Sequence, residues 1–382
     1  MDNREATTER VNTDLDAIRR WSDDWLVTFS APKTKGMVIS NKLNRNIHPR
    51  VTLNNILVED VTTHKHLGLV LSNNLGWTSH IDEVYVKAMK RLDIIQHFKF
   101  KLDRNALERF FLAYVLPILE YGDVVWSGAC DRELAKLDKV HIRAMRIITG
   151  ATERSHIHLL YEELGWHKLA TRRLMHKLKW FYKITNNMSP QYLTDIVPPT
   201  VGDRQRYNLR TGGNISQISA QKQCYFKSFF PTTIKEWNML PLTIRNSPSL
   251  SSFERRLKFH FQPPTKMLWF SVGDRFYNIH HARLRIGCSK LKAHLHFNLF
   301  VEDDPSCGCG FEIEDPYHFF FVCPRYAQNR VILFDSISRI VPDTAPRLSL
   351  LLRGDVNLSV DKNTAIFEYV QAFIKTTGRF NN

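Results

Sequence analysis

Three cysteines and one histidine fall within seventeen residues as Cys307, Cys309, His318 and Cys323, with the spacing C-x-C-x8-H-x4-C. Thiolates and an imidazole are ligands that zinc prefers, and four of them complete a tetrahedral shell with no position left for water. The chemistry implied is structural: a zinc ion that holds a small fold together. Gly308 and Gly310 alternate with the first two thiols and permit the tight backbone of a short metal loop. Tyr317, Phe319, Phe320 and Phe321 are expected to form an apolar shell around it. Ordinary buried thiols beside a surface histidine are the competing reading, but half of the six cysteines crowd into this window. The C-x-C step is tighter than the usual C-x2-C. His294 and His296 lie beside leucines and are left outside the ligand set, and Cys130, Cys224 and Cys288 are scattered singly, as reduced thiols are.

The elements that must carry this site belong to a folded chain of 382 residues, 43% hydrophobic. Lys and Arg outnumber Asp and Glu by 53 to 38, a net charge of +15. Such an excess suits a polyanionic partner. No charged leader precedes an apolar run, and no stretch approaches the roughly 18 apolar residues of a membrane span. The expectation is a soluble intracellular protein of the nucleus or cytoplasm, with no membrane partner.

In chain order, apolar residues from Val11 to Leu26 recur at helical spacing, with Thr13 or Asp14 as the cap. Two strands around Pro32–Gly36 are expected over 27–40. Two more flank Asn54-Asn55, and Leu67–Leu71 follows as an apolar strand. After Trp77 the pattern is helical. Thr78 or Ser79 can cap a helix whose stripe is Ile81, Val84, Ala88, Leu92 and Ile95, with Lys87, Lys90 and Arg91 largely off it. Asp103 can cap the next, Pro117 marks a break, and a third runs over 132–148. Beyond Leu164-Gly165-Trp166, Arg172, Arg173 and Lys177 stand with Lys168, Lys179 and Lys183 among Trp180, Phe181 and Tyr182. Cations neutralise phosphates and rings stack on bases, so this face and Lys87, Lys90 and Arg91 are candidate nucleic-acid contacts. An irregular linker is expected over 198–221. A pair of short helices pinned by Trp237 and Phe253, with Ser251 or Ser252 as a cap, comes next, and two helices close the chain.

This order of elements resembles the reverse transcriptases of non-LTR retrotransposons, from the end of the palm to their terminal Cys/His motif. The shared features are Trp21 and Trp25 as a W-x3-W pair, the strand and Lys-Thr turn Phe29–Thr34, and the Leu-Gly hairpin His66–Leu71. Further along come Leu119-Glu120-Tyr121-Gly122 with Trp126, then Ala144–Gly150, Trp237-Asn238, Leu240-Pro241 and Ser249–Phe253. Tyr121 and Trp126 are expected to be core. The resemblance implies an α+β chain, mostly α-helical. Small N-terminal β hairpins over 1–76 would be a palm remnant, 77–197 a helical thumb, 198–266 a linker with the Trp-Asn/Leu-Pro segment, and 267–382 a zinc-stabilised module. It places Lys33 near the incoming nucleotide's phosphates, Leu67 and Gly68 in the hairpin that positions the primer, and RNA or an RNA–DNA hybrid as the partner, with no small-molecule substrate. The family's metal-binding aspartates have no counterpart here, and Asp23-Asp24 reads as a solvated helix face. Polymerisation needs carboxylates that hold two ions about 4 Å apart. No catalytic magnesium site and no polymerase activity are therefore expected of this chain alone. The alternatives are an active RNA-directed DNA polymerase of which this is the end, and a repurposed interaction protein.

Overall fold

The computed structural model describes residues 4–39, 51–204, 212–342 and 344–381. The chain divides into two compact units, Met1–Val84 with Val125–Lys136, and Tyr85–Val124 with Leu137–Asn382. Helices dominate among the described residues, and the strands are short.

The first unit opens with α1 (Arg4–Asp24). It begins well before the expected cap, and the Thr13 hydroxyl donates to the Glu9 carbonyl at 2.8 Å within the helix instead of capping it. The early turns are polar, so no apolar periodicity announced them. Six strands follow: β1 (Lys35–Gly36), β2 (Thr52–Leu53), β3 (Ile56–Leu57), β4 (Glu59–Asp60), β5 (Thr63–His66) and β6 (Leu69–Ser72). β1 runs parallel to β4, while β2–β3 and β5–β6 are antiparallel hairpins. The strand expected before Pro32 is absent. Lys33 N and Thr34 N both donate to Ser30 O, at 3.0 and 3.1 Å, and wind this stretch into a 3-10 turn. Ser40 lies outside the described residues. Asn54 and Asn55 (φ 54° and 58°) close the first hairpin. Leu67 and Gly68 (φ 47° and 82°) close the second as a two-residue turn with His66 opposite Leu69. Two positive φ values match the strand twist, which is why such loops favour them.

Helix α2 (Thr78–His97) carries the expected stripe, with Ile81, Val84, Ala88, Leu92 and Ile95 all buried. Thr78 does not cap it; its hydroxyl donates to the Glu133 carboxylate. Trp126 is fully buried beside His80, whereas Tyr121 is 58% exposed, contrary to the expectation that both are core.

In the second unit Asp103 caps α3 (Arg104–Tyr114) by accepting from Ala106 N at 2.7 Å, and α4 (Leu116–Glu120) follows the break. Helix α5 (Asp131–Thr149), which belongs to this unit from Leu137 on, stops at Gly150, φ 75°. α6 (Ile157–Leu164) stops at Gly165, and α7 (Leu169–Thr185) follows. Beyond α8 (Gln191–Thr194), α9 (Gln223–Phe226), α10 (Phe229–Met239), α11 (Leu242–Arg245) and α12 (Leu250–His260), one core collects Leu178, Phe181, Tyr182, Ile234, Trp237 and Phe253. Trp237 and Phe253 pin it, with ring centroids 5.7 Å apart. The cap of α12 is Ser249, which accepts from Ser252 N, rather than Ser251 or Ser252.

Helix α13 (Arg275–Ile286) locks onto the end of α5. Arg275 donates to Ile148 O at 2.6 Å and Ile147 O at 2.8 Å, and Arg283 to Gly150 O at 2.7 Å. The last carbonyls of a helix have no partner within it, so the Arg275 guanidinium satisfies two at the end of α5, and Arg283 the one that follows. The buried Glu163 carboxylate bridges Arg104 (2.5 Å) and Arg285 (2.7 and 3.0 Å). Helices α14 (Ala327–Ile340), α15 (Leu348–Arg353) and α16 (Val360–Thr377) complete a second core around Phe319, Phe320, Ile337, Phe367 and Phe373. No helix among the described residues is long and apolar enough to cross a membrane.

Candidate metal centre

The four residues read from the sequence converge. Cys307, Cys309, His318 and Cys323 bring one ligand atom each to within 4.8 Å of every other. A tight turn sets the first pair: Gly310 N donates to Cys307 O at 2.9 Å, and Cys307 N to Phe311 O at 2.8 Å. Gly310 adopts φ 91°, a conformation that a side chain would strain. The second pair brackets one π-helical turn, His318–Val322, closed by Cys323 N donating to His318 O at 2.8 Å. Asp315 caps that turn by accepting from His318 N at 2.7 Å.

Cys307 Sγ lies 3.9 Å from Cys323 Sγ, and Cys309 Sγ lies 3.3 Å from His318 Nε2. Zinc–sulfur and zinc–nitrogen bonds of about 2.3 and 2.05 Å at tetrahedral angles place sulfurs about 3.8 Å apart and sulfur and nitrogen about 3.6 Å apart. The donor set therefore fits a four-coordinate ion of zinc's size. Desolvation pushes the Cys307 thiol up to about 12, and it holds His318 below its ordinary value, in the neutral form that ligates. Loading such a site releases thiol protons. The Phe311 ring stacks on His318 with centroids 4.5 Å apart. Phe319 and Phe320 are buried as expected of an apolar shell, but Tyr317 is 55% exposed.

Surrounding polar groups tie the site to the last helices. Arg330 of α14 donates to Phe320 O and Cys323 O, both at 2.7 Å. Glu314, whose Oε1 lies 3.9 Å from Cys307 Sγ, accepts from Arg379 at 2.6 and 2.7 Å. Burial opposes its charge, but the Arg379 guanidinium together with the Lys292 backbone N–H and ammonium holds the carboxyl below its ordinary value. His294 is occupied with Ser289 and His296 with the Glu302 carbonyl, so neither joins the set.

The predicted cationic contacts divide. Lys33 is exposed in its 3-10 turn, and Leu67 is 78% exposed beside Gly68 at the hairpin tip. Lys87 and Lys90 are exposed on α2, and Arg91 stacks over the Tyr114 ring at 4.1 Å. Arg172 pairs with Glu120. Arg173 and Lys177 are interior rather than solvated, Lys177 pairing with Glu236 at 2.8 Å. They lie four residues apart between buried Leu169 and Phe181, and that spacing was the available sign that they face inward. Sequence reading also missed the Arg104–Glu163–Arg285 cluster.

Comparison with known proteins gives partial matches. Over 149 residues, 38% of this chain, it is 26% identical to the RNA-directed DNA polymerase from mobile element jockey of Drosophila melanogaster. Over 343 residues, 86% of the chain, it is 22% identical to the Retrovirus-related Pol polyprotein from type-1 retrotransposable element R1 of Bradysia coprophila. The chain is similar to non-LTR retrotransposon RNA-directed DNA polymerases. A probable polymerase of this kind from transposon X-element of Drosophila melanogaster matches at 22% over 135 residues. The matches span 16%, 30% and 14% of the jockey, R1 and X-element proteins respectively, so the chain covers only a fraction of their lengths. No family model matches, and no solved structure matches.

Proposed function

We propose that this chain is a nucleic-acid-binding part of a retroelement reverse transcriptase, engaging RNA or an RNA–DNA hybrid without itself making or breaking bonds. The observation that carries this reading is the similarity to RNA-directed DNA polymerases, which in one relative extends over 86% of the chain. The net charge of +15 and the exposed cations Lys33, Lys87 and Lys90 support it, since phosphate neutralisation dominates such binding. In this reading, 1–76 is the end of a palm whose Leu67–Gly68 hairpin supports a primer terminus, 77–197 is the thumb, and 198–266 connects them to a zinc-stabilised module over 267–382 that adds a second contact. Asp23 and Asp24 are exposed at the end of α1, Asp23 bonded to Arg19 at 3.1 Å, and take no catalytic role. Joined to sequence that supplies metal-binding carboxylates, the same chain would complete an active polymerase.

The test is a titration of the purified chain against labelled RNA and RNA–DNA duplexes at several salt concentrations. Log affinity should fall linearly and steeply with log salt. A flat titration refutes nucleic-acid binding, and extension of a primed RNA template by this chain alone refutes the absence of catalysis.

A further inference from the structure

Helix α7 presents Arg172, His176, Lys179 and Lys183 at spacings of four, three and four, so the four share one face. That face borders a cleft of about 430 Å³ against α12, walled by His167, Arg172, His176, Lys179 and Lys258 over a floor that includes Met175, Leu257 and Pro263. The carboxylates that pair with two of these side chains lie inside the fold. Asp123, 4% exposed, accepts from His176 Nδ1 at 2.6 Å, and Glu120, 18% exposed, accepts from Arg172. The imidazole donates through Nδ1, and this hydrogen bond to the Asp123 carboxylate raises its pKa. Around His176 stand Arg172, Arg173 and Lys179 on its own helix, Glu254 and Lys258 from α12, His167 from the preceding loop, and Glu120 and Asp123 beneath. Lys179 pairs with Glu254 across the cleft. Lys258 is exposed, and no carboxylate among the described residues pairs with it. At the far end of the row Trp180, 45% exposed, lies under the Lys183 ammonium at 4.7 Å.

We infer that the α7–α12 cleft is a binding track for the phosphodiester backbone of single-stranded nucleic acid, with Trp180 as a stacking surface for a base. The inference rests on the nucleic-acid reading above and gives it a location distinct from the α2 cations. Charge complementarity selects the occupant: Arg172, Lys179 and Lys183 on one helix face, with Lys258 across the cleft and Trp180 at the end of the row, match successive phosphates and a base. The internal carboxylates hold the cations in position and leave their outer edges to a ligand.

The experiment measures anisotropy of a fluorescein-labelled single-stranded RNA 15-mer with the full chain across a salt series. Lys183→Glu/Lys258→Glu is compared with Lys87→Glu/Lys90→Glu, and folding of both is checked by circular dichroism. The cleft variant should bind on the order of tenfold more weakly and lower the log–log salt slope by about 1.4, two contacts at about 0.7 each on a single strand. Trp180→Ala should weaken binding with the slope unchanged. A cleft variant within twofold of wild type, while the α2 variant weakens, overturns the cleft and leaves the nucleic-acid reading standing. No salt-dependent binding by wild type overturns both. Polyglutamate binding that is lost in the cleft variant while its RNA binding is intact assigns the cleft to an acidic peptide instead.

Discussion

Replacing Glu163 by Gln should be among the most damaging single changes to the second unit. The Arg104 and Arg285 side chains are each 2% exposed, and Glu163 is 4% exposed, so the cluster is a buried +2/−1 arrangement. Burial opposes ionisation of Glu163, but the two guanidiniums outweigh it and hold the carboxyl below its ordinary value. Glutamine keeps the shape, removes the charge, and turns an amide donor toward an arginine donor. Breaking a buried pair in this way costs about 3–5 kcal/mol, because the remaining charges are uncompensated. At about 2–4 °C per kcal/mol for a unit of this size, the melting temperature should fall by roughly 6–20 °C. The sign with pH follows from the lowered pKa. The carboxylate's contribution is present above its ordinary value of 4.5 and is lost as pH falls through the lower folded value, so the variant should show a flatter acid limb. Thermal melts by circular dichroism at pH 7 and pH 4 measure both. A variant within about 1 kcal/mol of wild type at pH 7 would refute the argument that the carboxylate holds the two arginines.

Gly150→Ala places a methyl group 2.6 Å from Ile279 at φ 75°, so strain and overpacking together should cost about 2–5 kcal/mol in a urea titration. Gly310→Ala, with φ 91° but nothing within 4 Å, should show only the backbone part, about 1–2 kcal/mol. Burial pushes His141 down to about 3, so its neutral ring contributes stability above pH 6.5 that is lost as pH falls toward 3, up to about 5 kcal/mol. His141→Phe should flatten that limb in denaturant titrations between pH 7 and pH 4. Native mass spectrometry should find one zinc per chain, lost in Cys307→Ser/Cys323→Ser together with several degrees of melting temperature; a well-folded wild type without zinc refutes the metal assignment.

The features legible in the sequence were those whose physics is local. The candidate metal ligands share one short window, the α2 stripe repeats at helical spacing, Asp103 caps its own helix, and Asn54-Asn55 forms its own turn. Where local cues tied or were silent, tertiary structure decided. Any of the serines before Phe253 can cap a helix, and the one that does, Ser249, starts α12 early enough to bury Phe253 and Leu257 together. Arg173 and Lys177 carry the charge of a nucleic-acid contact, yet both lie in the buried row between Leu169 and Phe181. The Glu163 cluster has no local signature, since its partners stand 59 and 122 residues away.

The same distinction separates the cations that hold this fold from those open to a partner. Arg104, Arg275, Arg283 and Arg285 all act inward, on a buried carboxylate or on helix-end carbonyls, and Lys177 pairs within the fold. A net charge of +15 therefore overstates the charge available to phosphates. What remains outward on the second unit includes Lys87 and Lys90 on α2 and the row along α7 that ends at Lys183, with Lys258 facing it from α12. Because a buried arginine contributes nothing to counterion release, the salt slope should count exposed contacts rather than basic residues. Neutralising Lys87, Lys90, Lys183 and Lys258 together should lower the salt slope by about 2.8, four contacts at about 0.7 each on a single strand, while leaving the melting temperature nearly unchanged. Neutralising Arg275 should do the opposite: lower the melting temperature and leave the slope intact.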